Sequence, residues 1–237
     1  MGILEEKVKI GAENMGIGLS DEQLCAFRKY YELLEERNRV MNLTAISGEE
    51  DVAVLHFLDS LALLNVAELD GKRIIDIGSG AGFPGIPLKI ACPTMELTLL
   101  DALQKRVNFM QEVCDSVGAE VVAIHGRAEE YGKMPDYREQ YDFAVSRAVA
   151  NLNMLAELCI PYIKVGGARL AMKSTDSDDE IEGAGSCIKK LGCNVEKIVN
   201  YPLFGTEIEH RCVIIRKISS TPKIYPRRFA KIQKEPL

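Results

Sequence analysis

The sequence predicts an α/β protein with a mostly parallel sheet, an antiparallel last strand and an N-terminal helical extension over residues 1–70. Three observations carry that reading. From Lys72 onward, short apolar runs alternate with helical patterns, which is how strands covered on both faces of a parallel sheet read. The first of these runs leads into IIDIGSGAGFPGIP (74–87), a glycine-rich strand-to-helix turn of the kind where open α/β sheets bind ligands. The last two runs, CNVEKIVNY and HRCVIIRK, are joined only by PLFGTEIE. That connection permits an antiparallel return but not a right-handed parallel crossover.

The elements follow in order. Ser20-Asp21-Glu22-Gln23 is a capping box, and Leu24, Phe27, Tyr31 and Leu34 then keep helical spacing. NRVMNLTAISG is a turn-rich connection to a second helical stretch from about Glu49 to Asn65. RIIDIG reads as a strand, PLKIAC as a helix and ELTLLD as a strand; Val107, Met110, Cys114 and Val117 then share one face of an amphipathic helix. VVAIHG and YDFAVS are strands, LNMLAELCIPYI is helical, GARLAMK is a strand, and residues 178–191 are helical before the final pair. The chain divides into a helical extension (1–70), an α/β domain (71–217) and a basic C-terminal tail (218–237).

Of 237 residues, 47% are apolar, enough for one sizeable core. No apolar run reaches the roughly 18 residues of a membrane span. The start, MGILEEKVKIGAENMG, lacks the pattern of a signal peptide, and Glu6 breaks a myristoylation motif. The 7 cysteines form no CxxC and fall mostly in apolar stretches, as reduced thiols of a cytoplasmic protein do. His56, His125 and His210 are far apart in sequence, so no metal site is expected. A net charge of −6 argues against a uniformly basic surface. The charge is uneven, however: between Arg216 and Leu237, Arg216, Lys217, Lys223, Arg227, Arg228, Lys231 and Lys234 face a single acid, Glu235. Such a segment reads either as a phosphate-holding patch or as a solvated terminal tail.

Gly80-Ala81-Gly82-Phe83-Pro84-Gly85 matches GxGxxG, and Asp101 ends the next strand about 20 residues on, where a ribose-binding carboxylate belongs. A nucleoside-containing cofactor follows. A dinucleotide would rest its diphosphate on amides of the first helical turn, but Pro84 and Pro87 supply none there. The glycines also fall in a second register, Gly78-x-Gly80-x-Gly82 behind Asp76, which suits a ligand without phosphate such as S-adenosyl-L-methionine. A nicotinamide-dependent oxidoreductase, a small-molecule methyltransferase and a non-catalytic RNA-binding or cofactor-sensing module remain as alternatives.

DIGSGAGFPGIPL, with NLTAI and HFLDSL upstream and GRAEE and DFAVSRAVA downstream, resembles the glucose-inhibited division B family. These are bacterial guanine-N7 methyltransferases of small-subunit ribosomal RNA, and the likeness runs from about Asn38 to Lys173. The resemblance implies a class I, Rossmann-like methyltransferase fold, S-adenosyl-L-methionine as cofactor, and a guanine in the 530 loop of 16S ribosomal RNA (position 527) as target. The partner would be that RNA or the assembling small subunit. It also implies cofactor contacts at Gly78 and Phe83, the latter as an apolar wall, and at Ala128, Glu129 and Arg147, while Gly80 and Gly82 shape the turn and Asp101 accepts from the ribose hydroxyls. Arg147, ending the fourth strand, would pair with the methionine carboxylate or an RNA phosphate, and Lys173 is a second candidate at that crevice. The RNA surface would combine Arg147 with Arg37, Arg39, Arg211 and the tail cations, Arg227 and Arg228 among them. Asn42, His56, Asp59 and Ser60 are expected near the cleft, with Ser60 in a packing or hydrogen-bonding role. Guanine N7 already carries a free lone pair, so no general base is expected.

Overall fold

The computed structural model describes residues 2–147 and 151–237; the last three residues of VSRAVA lie outside them. Seven strands form one sheet in the order β3-β2-β1-β4-β5-β7-β6. They are β1 (Arg73–Ile77), β2 (Glu96–Asp101), β3 (Val121–His125), β4 (Tyr141–Ser146), β5 (Ile163–Ser174), β6 (Cys193–Pro202) and β7 (Glu209–Lys217). β1 to β5 pair in parallel, and β7 runs antiparallel to both β5 and β6. The short PLFGTEIE return does what its length allows. Strand order reverses between β1 and β4, which places the ligand crevice of an open α/β sheet at the ends of those two strands.

Helices cover both faces. α1 (Ile3–Asn14) and α2 (Asp21–Met41) are followed by a helical rod over residues 49–65. The rod consists of α3 (Glu49–Val52), a π-helical turn (Ala53–Leu58), α4 (Asp59–Leu61) and a 3-10 turn (Ala62–Asn65). With α5 (Gly85–Ala91) and α6 (Gln104–Val117) they bury Leu4, Phe27, Tyr30, Leu34 and Phe57 in one core with Leu97, Leu99, Val145 and Leu170 of the sheet. The helical extension therefore completes a face of the sheet. The start of α2 is set by the capping box: Gln23 N donates to Ser20 Oγ (3.2 Å), Ser20 N donates to Gln23 Oε1 (2.8 Å), and Gln23 Nε2 reaches on to the Ile90 carbonyl at the end of α5 (2.7 Å). On the other face α7 (Ala128–Tyr131), α8 (Leu152–Cys159) and α9 (Asp178–Lys190) pack on Ile75, Ile77, Ala144, Ala171 and Val213.

Residues 218–237 are anchored to that second face, with Thr221, Pro226 and Ile232 buried and most other side chains exposed. Lys217 Nζ pairs with Glu139 (2.8 Å), whose carboxylate also accepts from Thr221 N (2.9 Å). Arg138 donates to the carbonyls of Thr221 (2.7 Å) and Tyr225 (2.8 Å). A last helix, α10 (Phe229–Lys234), buries Ile232. Arg227 forks onto Glu157 of α8 at 2.6 and 2.8 Å, and that carboxylate is fully buried. Removing one member of a buried pair leaves the other charge stranded. We expect Arg227→Ala to lower the unfolding free energy by about 3 to 5 kcal/mol in urea titrations, with Arg227→Met/Glu157→Met recovering much of it; a loss within error of zero would show the pair to be dispensable.

Candidate cofactor and substrate site

The glycine loop leaves β1 and enters α5 under tight hydrogen bonding. Gly78 N and Ser79 N donate to the Leu100 carbonyl (2.8 and 3.3 Å), Gly80 N to Asp101 Oδ2 (2.9 Å), and Gly82 N and Phe83 N to the Ser79 carbonyl (2.8 and 3.2 Å). Gly85 N donates to Asp76 Oδ2 (2.9 Å), and Ile86 N to the Gly82 carbonyl. With Pro84 and Pro87 offering no N–H, the loop has no fan of free donors for a diphosphate. Asp76 is fully buried, and its other oxygen, Oδ1, has no partner. Burial pushes its carboxyl up to about 8, so it is largely protonated at neutral pH.

The glycines fall into two groups. Gly78 and Gly80 sit at φ of 69° and 62°, and a Cβ on Gly78 would meet nothing within 4 Å, so this part of the loop opens on free space beside Asp101. Gly82 instead faces the core: a Cβ there would strike Ile86 and the Tyr30 hydroxyl at 2.4 and 2.8 Å. The missing side chain at Gly82 makes room for α2 and α5. Asp101 is nearly buried and accepts from Gly80 N through Oδ2 and Leu103 N through Oδ1 (both 2.9 Å); each oxygen keeps a lone pair for a further donor. Ala128 and Glu129 begin α7 beyond β3, next along the strand ends from Asp101; the Ala128 carbonyl is held by the Tyr162 hydroxyl (2.7 Å) and Glu129 is buried.

Phe83 lies at a junction of three elements. Its ring, only 4% exposed, stacks between aromatic neighbours, with the Tyr30 centroid at 5.2 Å and His56 at 4.2 Å, and the Arg147 guanidinium lies over it at 4.7 Å. It serves as a joint between the loop, the helical extension and β4 rather than as an open apolar wall. The exposed apolar side chain beside Asp101 is Leu103, 45% exposed, which sequence reasoning missed although it lies two residues after the acid.

Arg147 follows β4 directly across the switch point. Nη1 donates to the Leu55 carbonyl (3.0 Å) and to Asp59 Oδ2 (3.4 Å), and Nη2 meets His56 Nδ1 (2.6 Å). A guanidinium only donates, so His56 accepts there as a neutral imidazole and its Nε2–H faces Thr44 Oγ1 (2.8 Å). Burial and the nearby Arg147 charge hold His56 down at about 3. Asp59, also buried, accepts through Oδ1 from the Tyr201 hydroxyl (3.0 Å) and His210 Nδ1 (2.8 Å). The π-helical turn aims these groups. It displaces the backbone from α-helical register, as such turns do at functional sites, and it supplies the carbonyls of Leu55 to Arg147 and of His56 to Ser60 Oγ (2.6 Å). Ser60 thus hydrogen-bonds within its own helix, and Asn42 is the left-handed cap of α2 (φ 50°) leading into the Thr44 loop.

Other expected RNA contacts are already engaged. Lys173 pairs with Glu180 (2.8 Å), Arg37 with Glu112, and Arg211 with Asp178 (2.5 Å). Arg227 is committed to Glu157, a correction that follows from that buried carboxylate's need for a cation. Arg39 and Arg228 are exposed. Among the described residues no group of three or more His, Cys, Asp or Glu side chains could hold a metal ion, and no helix is long and apolar enough to cross a membrane.

Solved structures with the same fold include M. jannaschii TYW2 in complex with AdoMet (TM-score 0.53, 11% identity, 68% of this chain and 75% of that one) and P. horikoshii TYW2 in complex with MeSAdo (TM-score 0.54, 14% identity, 68% and 62%). These likenesses show the fold, a Rossmann-like sheet that is parallel apart from the antiparallel strand β7. A family profile described as rRNA small subunit methyltransferase G matches residues 23–206, and the chain belongs to that family. Proteins named ribosomal RNA small subunit methyltransferase G from Alkaliphilus oremlandii and Pelotomaculum thermopropionicum are each 47% identical to it, over 99% and 100% of both chains.

Proposed function

We propose that this chain transfers the methyl group of S-adenosyl-L-methionine to N7 of a guanine in the 530 loop of 16S ribosomal RNA, in the cytoplasm, acting on the RNA or on the assembling small subunit. The observation that carries the cofactor side is that the loop amides of Gly78, Ser79, Gly80, Gly82, Phe83, Gly85 and Ile86 are taken by Asp76, Asp101 and neighbouring carbonyls, which favours a nucleoside without diphosphate. Family membership carries the substrate side.

The bound sulfonium supplies an activated methyl group. The chain's part is alignment and exclusion of water. Gly78 and Gly80 let the backbone approach, Asp101 orients the ribose hydroxyls, Leu103 covers the adenine, and the start of α7 at Ala128–Glu129 bounds it. Arg147 offers its remaining donors to the methionine carboxylate or to an RNA phosphate. Guanine N7 is a nucleophile in its ground state, so no residue is required to remove a proton before attack.

The RNA surface is narrower than the full set of cations. Lys223, Arg228, Lys231 and Lys234 are exposed, as is Arg39. Arg228 and Phe229 line a cleft of about 440 Å³ with Arg127 and Lys133 beside Glu129, which combines cations for phosphates with an aromatic face for a base.

Labelled S-adenosyl-L-methionine incubated with undermethylated small subunits, followed by mapping of the labelled nucleotide, tests the assignment. Label on N7 of one guanine in the 530 loop is expected; label on another base or none on RNA would overturn it. For the surface, Arg228→Ala/Lys231→Ala/Lys234→Ala is expected to reduce the slope of log affinity against log salt by about 2 to 3. A slope equal to that of the parent protein would remove α10 from the interface.

A further inference from the structure

Asp59 lies where α4, the end of β4 and the β6–β7 hairpin meet. Its single buried carboxylate is shared between a permanent cation and a titratable one: Arg147 at 3.4 Å on Oδ2, and His210 at 2.8 Å on Oδ1, with the Tyr201 hydroxyl alongside. The bond to Arg147 is the longest of the three. At the other end of the guanidinium stands His56, which is neutral through the physiological range. Asp76, the other acid coupled to Arg147, is largely protonated at neutral pH, so the charge balance around Arg147 is left mainly to Asp59 and His210.

We propose that Asp59 and His210 are positioning residues for Arg147: a charged His210 engages the Asp59 carboxylate and leaves Arg147 free to reach toward the crevice, whereas a neutral His210 lets Asp59 draw Arg147 back. The proposal rests on the reading of Arg147 as a cofactor contact. Electrostatics act in one direction. Protonated His210 both competes for Asp59 and repels Arg147 from it, and it adds positive potential toward an anionic ligand group.

His210 is placed to titrate. The hydrogen bond to Asp59 and its charge raise it above the ordinary histidine value, against burial and the Arg147 charge. Among the described residues, the groups facing it are Asp59 from α4, Arg147 from β4 and Tyr201 from β6, whose ring meets it edge-on at 6.3 Å. Its register partner on β5, Ser174, is uncharged, with Lys173 next to it, and Glu209 and Arg211 flank it on β7.

The test is calorimetric titration of S-adenosylhomocysteine into the full-length protein from roughly pH 5.5 to 8.5, across the histidine range. The parent protein is expected to bind about fivefold more weakly at the upper end, the low end of ordinary coupling energies. His210→Gln keeps a neutral donor to Asp59 and is expected to show a flat profile at the weaker level. Asp59→Asn, which no longer attracts Arg147, is expected to be flat at the tighter level. Flat here means flat after removal of the titrations of the ligand's own ammonium and of Asp76, which are common to all variants and cancel between them. A His210→Gln profile with the parent's pH slope, in a protein of unchanged melting temperature, overturns the proposal. Arg147→Lys separates the two failures. If it leaves affinity unchanged at every pH, Arg147 is no cofactor contact and the proposal falls with that reading; if it weakens binding while the slope survives in His210→Gln, only the positioning role falls.

Discussion

Two buried acids, Asp76 and Asp101, hold the glycine loop by its amides, and the chemistry of the crevice depends on that grip. Asp76 takes Gly85 N at the head of α5, and Asp101 takes Gly80 N while its second oxygen takes Leu103 N. An acceptor lost from such a buried bond costs about 1 to 3 kcal/mol, so the loop geometry is strongly specified. A helix N-terminus that would ordinarily attract phosphate is occupied from within by Asp76. The same acid cannot serve two demands, and the site is thereby biased toward a ligand that brings hydroxyls and an apolar ring to the loop.

The second constraint is the junction at Phe83. Its ring carries Arg147 on a π-face and is buttressed by Tyr30 and His56, so the helical extension reaches into the site through α2 and the π-helical turn. A cation held over an aromatic face in a partly desolvated setting contributes on the order of 1 to 2 kcal/mol. Arg147 is thus fixed by neutral acceptors and one shared carboxylate, an arrangement that keeps part of its donor capacity open.

Much of the fold was legible because the central strands, buried on both faces, write themselves as apolar runs, and each run from RIIDIG to HRCVIIRK, the more exposed edge strands β3 and β6 included, is a strand of the sheet. The capping box at Ser20 and the apolar face of α6 were local signals of the same quality. At the site, Gly78 and Asp101 were legible because a strand-end turn and a spaced acid are short-range patterns. What escaped was long-range. Asp59 meets His210 across 151 positions and Arg147 across 88, and no spacing rule links them. The packing of Gly82 on α2 and α5 and of Phe83 on Tyr30 and His56 was not legible, because motif position does not reveal which side of a loop faces the core. Arg227 was misassigned because a basic run does not reveal that one of its members answers a buried acid 70 residues away. The π-helical turn escaped because HFLDSL carries the same apolar spacing in either helical register.

The most direct measurement of the central claim is a pair of calorimetric titrations of the same protein, one with S-adenosyl-L-methionine and one with NAD. A loop with most of its amides taken by Asp76, Asp101 and its own carbonyls predicts one-to-one binding of S-adenosyl-L-methionine and no heat of binding with NAD. Saturable NAD binding of comparable affinity would contradict it, because a diphosphate would then have found donors that this loop does not offer.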